Sequence, residues 1–140
     1  MYLTFFIVCM SSFIITSFFG RVLGHLGVSL YTVICMFSCN IISFIMFYEV
    51  ILNESLCNII LFEWISYGPL KINFSLKFDT LTVLMLIVIT SISLTTHIYS
   101  ISYMGDDPHC TRFMSYLSLF TWFMVILVTS SNFLQLFLGW

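Results

Sequence analysis

Long stretches without charged side chains constrain this chain more than any other feature of its sequence. Residues 1–19 carry no charge, and residues 28–52 carry only Glu49. A helix of about 20 residues, rising 1.5 Å per residue, crosses the roughly 30 Å apolar core of a bilayer. Lipid offers the backbone no hydrogen-bonding partner, so stretches of this kind fold as helices. The sequence therefore predicts an all-α polytopic membrane protein.

The composition excludes several other classes of protein. Charged residues make up only 7% of the chain, whereas soluble domains average about 25%, so a water-facing surface cannot be covered. Lys and Arg together number 4 against 6 for Asp and Glu, and a nucleic-acid-binding protein needs a basic face. The 19% aromatic content is opposite to the signature of disorder. We expect a lipid bilayer as a partner and no nucleic acid.

The order of apolar and polar stretches predicts four transmembrane helices and the start of a fifth, in one membrane domain covering residues 1–140. The glycine-rich segment 20–27 is interpreted as a tight loop that makes the second helix antiparallel to the first. The last eight residues would span only about 12 Å, so they cannot cross a bilayer alone. The predicted helices cover residues 1–19, 28–52, 80–104, 113–130 and 133–140.

A short surface β-hairpin is predicted between helices 2 and 3, over residues 62–79. Residues 70–79 alternate apolar and polar side chains without interruption, a period of two that is typical of a strand with one buried face. A Gly68-Pro69 turn separates this strand from the aromatic segment 62–66. We expect Ile72, Phe74 and Leu76 to be buried, and Lys71, Asn73 and Ser75 to be more exposed.

Two titratable groups are candidates for a proton relay or for polar packing. His97 shares a helix face with hydroxyl residues at steps of 3, 4 and 3, namely Thr90, Ser93 and Ser100. A titratable group within the membrane is a functional candidate by default, although a histidine in a Ser/Thr stripe is often only a packing group. Glu49 lies near the end of its helix, so an interfacial carboxylate is favoured there over a buried proton carrier.

No motif for a catalytic, cofactor-binding or metal site is found in the sequence. There is no phosphate-binding loop, no dinucleotide fingerprint and no HExxH. Cys35 and Cys39 share a helix face, but further ligands for a metal are lacking nearby. The five cysteines show no spacing typical of a disulfide framework.

Several linked motifs resemble the mitochondrial NADH:ubiquinone oxidoreductase (respiratory complex I) chain 5 family. The matching segments, in chain order, are FDTLT at 78–82, HIYSISYM at 97–104, DP at 107–108, RF at 112–113 and SNFLQLFLGW at 131–140. The resemblance covers nearly the whole chain. It is weakest in the first helix and in residues 53–62.

The resemblance implies a piece of the distal antiporter-like, proton-translocating subunit of complex I in the inner mitochondrial membrane. The family has many more helices, with its N-terminus and hairpin in the intermembrane space and, by implication, Arg21 and Arg112 facing the matrix. Its proton-carrying Glu follows the Gly-Trp that corresponds to Gly139 and Trp140, so no pumping residue is carried over to this chain. The chain would be part of an enzyme, NADH:ubiquinone reductase, without redox residues of its own. NADH, FMN, iron–sulfur clusters and ubiquinone would bind elsewhere in the complex.

The resemblance also implies partners. These are the other complex I membrane subunits and, by expectation, a companion chain that completes the fold beyond Trp140. The chain has no alanine and 16 phenylalanines, a bias that fits an AT-rich organellar genome. Two alternatives stay open: a fragment of a sodium/proton antiporter subunit, and a stand-alone structural subunit of four helices.

Overall fold

Apolar helices and one small sheet make up the structure, a computed structural model that describes residues 1–53 and 56–140. In chain order the elements are α1 (Tyr2–Asn53), β1 (Cys57–Tyr67), β2 (Leu70–Phe78), α2 (Thr80–Tyr103), α3 (Cys110–Thr129) and α4 (Phe133–Gly139). Of the described helices, α1, α2 and α3 are long and apolar enough to cross a membrane. The predicted helical membrane architecture is confirmed at this level, together with a small antiparallel sheet.

The antiparallel reversal predicted at 20–27 is present, but the predicted loop is too long, because α1 stays helical there except at one residue. Gly24 has φ 71° and ψ 178°, a left-handed backbone conformation that only glycine adopts readily. The two arms of α1 then lie side by side. Cys9 Sγ lies 3.3 Å from Cys39 Sγ, and the Tyr2 hydroxyl donates to Glu49 Oε2 at 3.4 Å. These pairs, far apart in sequence, show that the arms are antiparallel and that a single glycine makes the reversal.

The hairpin begins earlier than the predicted residue 62, at Cys57, whereas β2 runs over Leu70–Phe78. The strands pair from Cys57 with Phe78 to Tyr67 with Leu70, with register irregularities after Ile60 and Glu63. Gly68 turns the chain with φ 55°. β1 has 11 residues and β2 has 9, because each of the two irregularities takes up one extra residue of β1 without ending the pairing.

The predicted burial of β2 holds for Phe74 and Leu76 but fails for Ser75. Ser75 is buried because the segment after α3 covers the free edge of β2. Leu76 pairs with Ser130 in an isolated bridge, and the Asn132 Nδ2 donates to the Asn73 carbonyl at 2.8 Å. Ser75 itself hydrogen-bonds Ser131, and its backbone N–H donates to the buried Gln135 side chain. Ile72 and Asn73 are both half-buried.

α3 starts three residues before the predicted position, because the turn after α2 leads directly into it. The Cys110 N–H donates to the Asp107 carbonyl at 3.3 Å, and the Phe113 N–H donates to the His109 carbonyl at 3.2 Å. The reversals at Gly24 and Gly105 line one common cavity. The hairpin lies at the other end, where Phe78 packs on Tyr2 with ring centroids 4.7 Å apart.

The distribution of side chains is inverted relative to a water-soluble protein. Large apolar residues such as Ile7, Leu30 and Phe44 face outward, while small hydroxyl residues fill much of the space between helices. Small residues let helices approach closely in lipid. The buried hydroxyls include Ser12, Thr16, Ser29, Thr32, Ser43, Thr90, Ser93, Ser100, Ser115, Ser118, Thr121 and Thr129.

Candidate functional site

His97 is fully buried, with an exposed fraction of 0%. It lies on α2, and the other members of its predicted stripe, Thr90, Ser93 and Ser100, are buried with it. The helical period of 3.6 residues places these four on one face, and that face packs against α1 and α3. His97 therefore points into the helix bundle and not towards its outer surface.

Hydrogen bonds give the two ring nitrogens of His97 different roles. Nδ1 lies 2.7 Å from the Ser93 carbonyl oxygen, which can only accept, so Nδ1 carries the proton in the neutral ring. Nε2 is then the acceptor, and the Ser118 hydroxyl lies 3.5 Å from it. That distance is long for a hydrogen bond.

A short chain of polar groups leads away from His97 across three helices. Ser12 on the first arm of α1 donates to Ser118 Oγ on α3 at 3.2 Å. Ser118 in turn can donate to His97 Nε2, or to the Met114 carbonyl at 2.9 Å. All donors therefore can point the same way, from Ser12 through Ser118 and His97 to the Ser93 carbonyl. If the hydroxyls rotate, such an arrangement can deliver a proton from Ser12 through Ser118 to Nε2, and the group that could take the Nδ1 proton is the Ser93 hydroxyl, 3.4 Å from Nδ1.

A second polar cluster lies two helical turns along α2 from His97. Asn40 Nδ2 donates to Ser91 Oγ at 3.0 Å, and the Ser43 and Thr90 hydroxyls lie 3.1 Å apart. Thr90 belongs to the same inward face as His97. The polar face of α2 therefore contacts α1 at one level and α3 at another.

Glu49 does not belong to the His97 site. It is half-buried beside Tyr2 at the hairpin end, whereas His97 lies 17 residues along α2 from Thr80, which is about 25 Å along the axis. The structure therefore separates the two candidate residues. The position of Glu49 at a helix end fits an interfacial carboxylate.

Ser12 and Ser118 are the contributors that sequence reasoning missed. The sequence does indicate an inward position for Ser118, because Ser115, Ser118 and Thr121 recur at steps of three, as hydroxyl residues also recur along the His97 face of α2. No comparable pattern surrounds Ser12. Met36 also belongs to this region, since its sulfur accepts from Ser93 Oγ at 3.7 Å.

No metal centre is found within the part of the chain that the structure describes, where no three His, Cys, Asp or Glu residues come together. Cys35 and Cys39 are both buried, and Cys39 meets Cys9 on the other arm of α1. Thiol packing between the arms explains the cysteines of this helix.

Comparison with known proteins gives the family. The family model for the N-terminus of chain 5 of NADH-ubiquinone oxidoreductase (complex I) matches residues 64–114. That segment contains most of the hairpin, the whole of α2 and His97. The chain is a homologue of the N-terminal part of NADH-ubiquinone oxidoreductase chain 5.

The chain 5 relatives match far beyond the segment of the family model. The chain is 52% identical over 126 residues to NADH-ubiquinone oxidoreductase chain 5 of Triticum aestivum, and to that of Arabidopsis thaliana, in each case over 90% of this chain. It is 48% identical over 127 residues to that of Metridium senile. The chain spans 19% of the two plant proteins and 21% of the sea-anemone protein. Neither the antiporter nor the stand-alone alternative is favoured by these matches.

Proposed function

We propose that this chain is a scaffold part of the distal proton-translocating membrane subunit of NADH:ubiquinone oxidoreductase, in the inner mitochondrial membrane. The observation that carries the proposal is the 52% identity with chain 5 over 90% of this chain. In this role the chain helps to couple electron transfer to proton pumping. NADH, FMN, iron–sulfur clusters and ubiquinone bind in other parts of the complex.

Four crossings of the membrane are part of the proposal. The arms of α1, residues 2–23 and 25–53, are each long enough to cross, since about 20 residues suffice. Their antiparallel contacts support two separate crossings. α2 and α3 supply the other two, and the hairpin then lies on the membrane surface.

His97 is proposed as the proton-handling group of this part of the subunit. Its support is the chain of donors from Ser12 through Ser118 to Nε2 of a ring that is fully buried between helices. A proton arriving at Nε2 would make the imidazolium transiently, and release of the Nδ1 proton to the Ser93 hydroxyl, whose oxygen lies 3.4 Å from Nδ1, would restore the neutral ring in the other tautomer.

Substitution of His97 in the assembled complex tests this role. Both His97→Leu and His97→Gln are expected to lower the number of protons pumped per NADH oxidised, while electron transfer from NADH to ubiquinone stays largely intact. Gln keeps a hydrogen-bonding group but does not titrate. The measurement is proton uptake by proteoliposomes during NADH oxidation.

The exposed His109 at the start of α3 provides a matched control, because His109→Gln removes an imidazole outside the bundle. Normal pumping in His97→Gln would leave only a packing role for His97. Equal losses in His97→Gln and His109→Gln would likewise contradict a specific proton pathway.

Protein outside these 140 residues is proposed to pack on the face formed by α3 and α4, whether as the rest of one polypeptide or as a companion chain. A mainly apolar cavity of about 550 Å³ opens there, lined in part by Phe120, Phe123, Leu138 and Trp140. Trp140 is 88% exposed. The chain 5 relatives, of which this chain spans about a fifth, contain the protein that would cover it.

A photoreactive amino acid in place of Trp140 tests this packing in the assembled complex. We expect cross-links to protein of the antiporter-like fold. Cross-links to lipid alone would contradict the proposal.

A further inference from the structure

Two arginines line one cavity at the end of the bundle opposite to the hairpin. Arg21 lies just before the reversal of α1, and Arg112 lies in the first turn of α3. The cavity between them has a volume of about 440 Å³. Ser17 and Ser115 are also on its lining, so hydroxyl donors accompany the two guanidinium groups.

Among the described residues, no carboxylate forms an ion pair with either arginine. Within the described residues, the ion pair that is found joins Lys77 and Asp79, at the hairpin end. Asp106 and Asp107 line the neighbouring cavity at the reversals, which Arg21 also borders, but they are not on the wall of the cavity that holds both arginines. Two positive charges therefore face one cavity without a paired anion.

The local backbone adds to this positive potential. α3 begins at Cys110; the N–H groups of Cys110 and Phe113 donate to the Asp107 and His109 carbonyls, which leaves those of Thr111 and Arg112 without a backbone acceptor among the described residues. The helix dipole places roughly half a positive charge at this end. Arg112 and Thr111 belong to that first turn and both line the cavity. The site therefore suits an anion better than its side chains alone would suggest.

The rim of the cavity is apolar and faces outward. Phe18 is 77% exposed and Tyr116 is 65% exposed, and both are on the lining. In a chain with apolar helices of membrane-crossing length, the exposed Phe18 side chain is available to acyl chains, whereas Tyr116 also borders the cavity that other protein is proposed to cover. An occupant that satisfies both parts of the site has an anionic group at the arginines and hydrocarbon along Phe18.

We propose that this cavity binds the phosphodiester headgroup of an anionic phospholipid, with Arg21 and Arg112 holding the phosphate. Guanidinium groups bind phosphate through paired N–H donors. Basic pockets between membrane helices are typical places for anionic headgroups. A free phosphate ion would satisfy the arginines but would leave the apolar rim without a ligand.

Lipid selectivity of the assembled complex in nanodiscs tests the proposal. The probes are spin-labelled phosphatidylglycerol and spin-labelled phosphatidylcholine, and the measurement is the fraction of each lipid that is motionally restricted. We expect the preference for phosphatidylglycerol to fall at least threefold in the double variant Arg21→Gln/Arg112→Gln. The matched control is Lys71→Gln/Lys77→Gln, which removes two charges at the hairpin end and is expected to keep the preference.

Inorganic phosphate separates the two possible sources of the anion. Restricted phosphatidylglycerol that stays bound in millimolar phosphate supports a lipid site, whereas its displacement by phosphate at that concentration overturns it. Equal binding of the two lipids, or an equal loss of preference in the lysine variant, also overturns the proposal.

A measurement on the unaltered complex keeps the proposal falsifiable if the double variant does not assemble. Phosphatidylglycerol with a photoreactive headgroup is expected to label peptides containing residues 16–21 and 111–116. Labelling confined to other parts of the surface would contradict the site.

Discussion

The two ring nitrogens of His97 face different helical elements and carry different bonds. Nδ1 is tied to a carbonyl of its own helix, which fixes the ring, while Nε2 turns to Ser118 on α3. One nitrogen thus holds the orientation and the other stays available. This division of roles explains how a buried imidazole can be both well packed and chemically accessible to a neighbouring hydroxyl.

At the scale of single residues, Gly24 gives a clean test of backbone conformation. A Cβ added there would meet no atom within 4 Å, so Gly24→Ala changes only the strain at φ 71°. We expect a loss of about 1–3 kcal/mol in the free energy of unfolding, because the combination of φ 71° and ψ 178° lies in a region that residues other than glycine occupy only at that cost. The measurement is denaturant titration of the chain in mixed micelles.

Gly105→Ala is the matched control for Gly24, since it also lies at a helix reversal but its φ is not positive. Its added Cβ would lie 3.4 Å from the Ile101 carbonyl oxygen, an ordinary contact. Equal losses at Gly24 and Gly105 would contradict the assignment of the cost to the left-handed backbone.

The sequence predicts which helix face His97 lies on, but not which residues of other helices contact that face. A helical period is a local property, so it correctly placed Thr90, Ser93 and His97 on one inward face. The partner Ser12 comes from a helix 85 positions earlier in the chain, and no local pattern contains the relative rotation of two helices. For the same reason, the contact between Cys9 and Cys39 on the two arms of α1 could not be predicted from the sequence.

At the scale of elements, β2 shows how one strand can be buried to different depths along its length. Leu70 and Leu76 are on the same face of the strand, as their even spacing requires. Leu70 is 54% exposed near the turn, and Leu76 is 0% exposed in the core cluster with Phe5, Val83 and Val125. The hairpin is therefore attached to the bundle by the end of β2 that leads into α2.

The pair Leu70 and Leu76 allows a matched substitution within one strand. Leu76→Ala is expected to lower the free energy of unfolding by about 2–5 kcal/mol, the range for truncating a buried leucine. Leu70→Ala is expected to change it by less than about 0.5 kcal/mol, as is usual for surface positions. Both are measured by the same titration in mixed micelles, and similar losses would contradict anchoring through Leu76.

The alternating pattern predicted β2 well because it reports one buried face. It could not predict that Ser75, on the other face, is covered as well. That cover comes from Ser130, Ser131 and Asn132, a polar cluster more than fifty residues later, whose side chains suggested only the start of a helix. Its use as an edge partner for β2 depends on where α3 ends in space.

At the scale of the whole molecule, the reversal at Gly24 decides the topology. If the two arms of α1 cross separately, the reversals at residues 22–25 and 104–109 lie on one side of the membrane and the hairpin on the other. If α1 crossed only through its first arm, residue 22 would lie on the opposite side from residue 106. Single cysteines at Val22, Asp106 and Ser66 distinguish these arrangements.

We expect Val22→Cys and Asp106→Cys to react together from one side with a membrane-impermeant maleimide, and Ser66→Cys to react from the other side. The measurement compares intact and permeabilised inner-membrane vesicles. Four native cysteines are buried and Cys57 is half-buried, so a Cys57→Ser background keeps the signal specific. Labelling of Val22→Cys from the same side as Ser66→Cys would contradict four crossings.

The buried hydroxyls have a mechanical consequence for the bundle. Most of them donate to carbonyls of their own helix, as Thr16, Ser29 and Thr129 do, so the helix surfaces in contact present few unmet donors to one another. Hydrogen bonds between helices, such as Ser12 to Ser118 and Asn40 to Ser91, are few and fix the helices relative to one another at those positions. Elsewhere the helices meet through van der Waals contacts, so a small sliding or rolling movement of one helix against the next would break few hydrogen bonds.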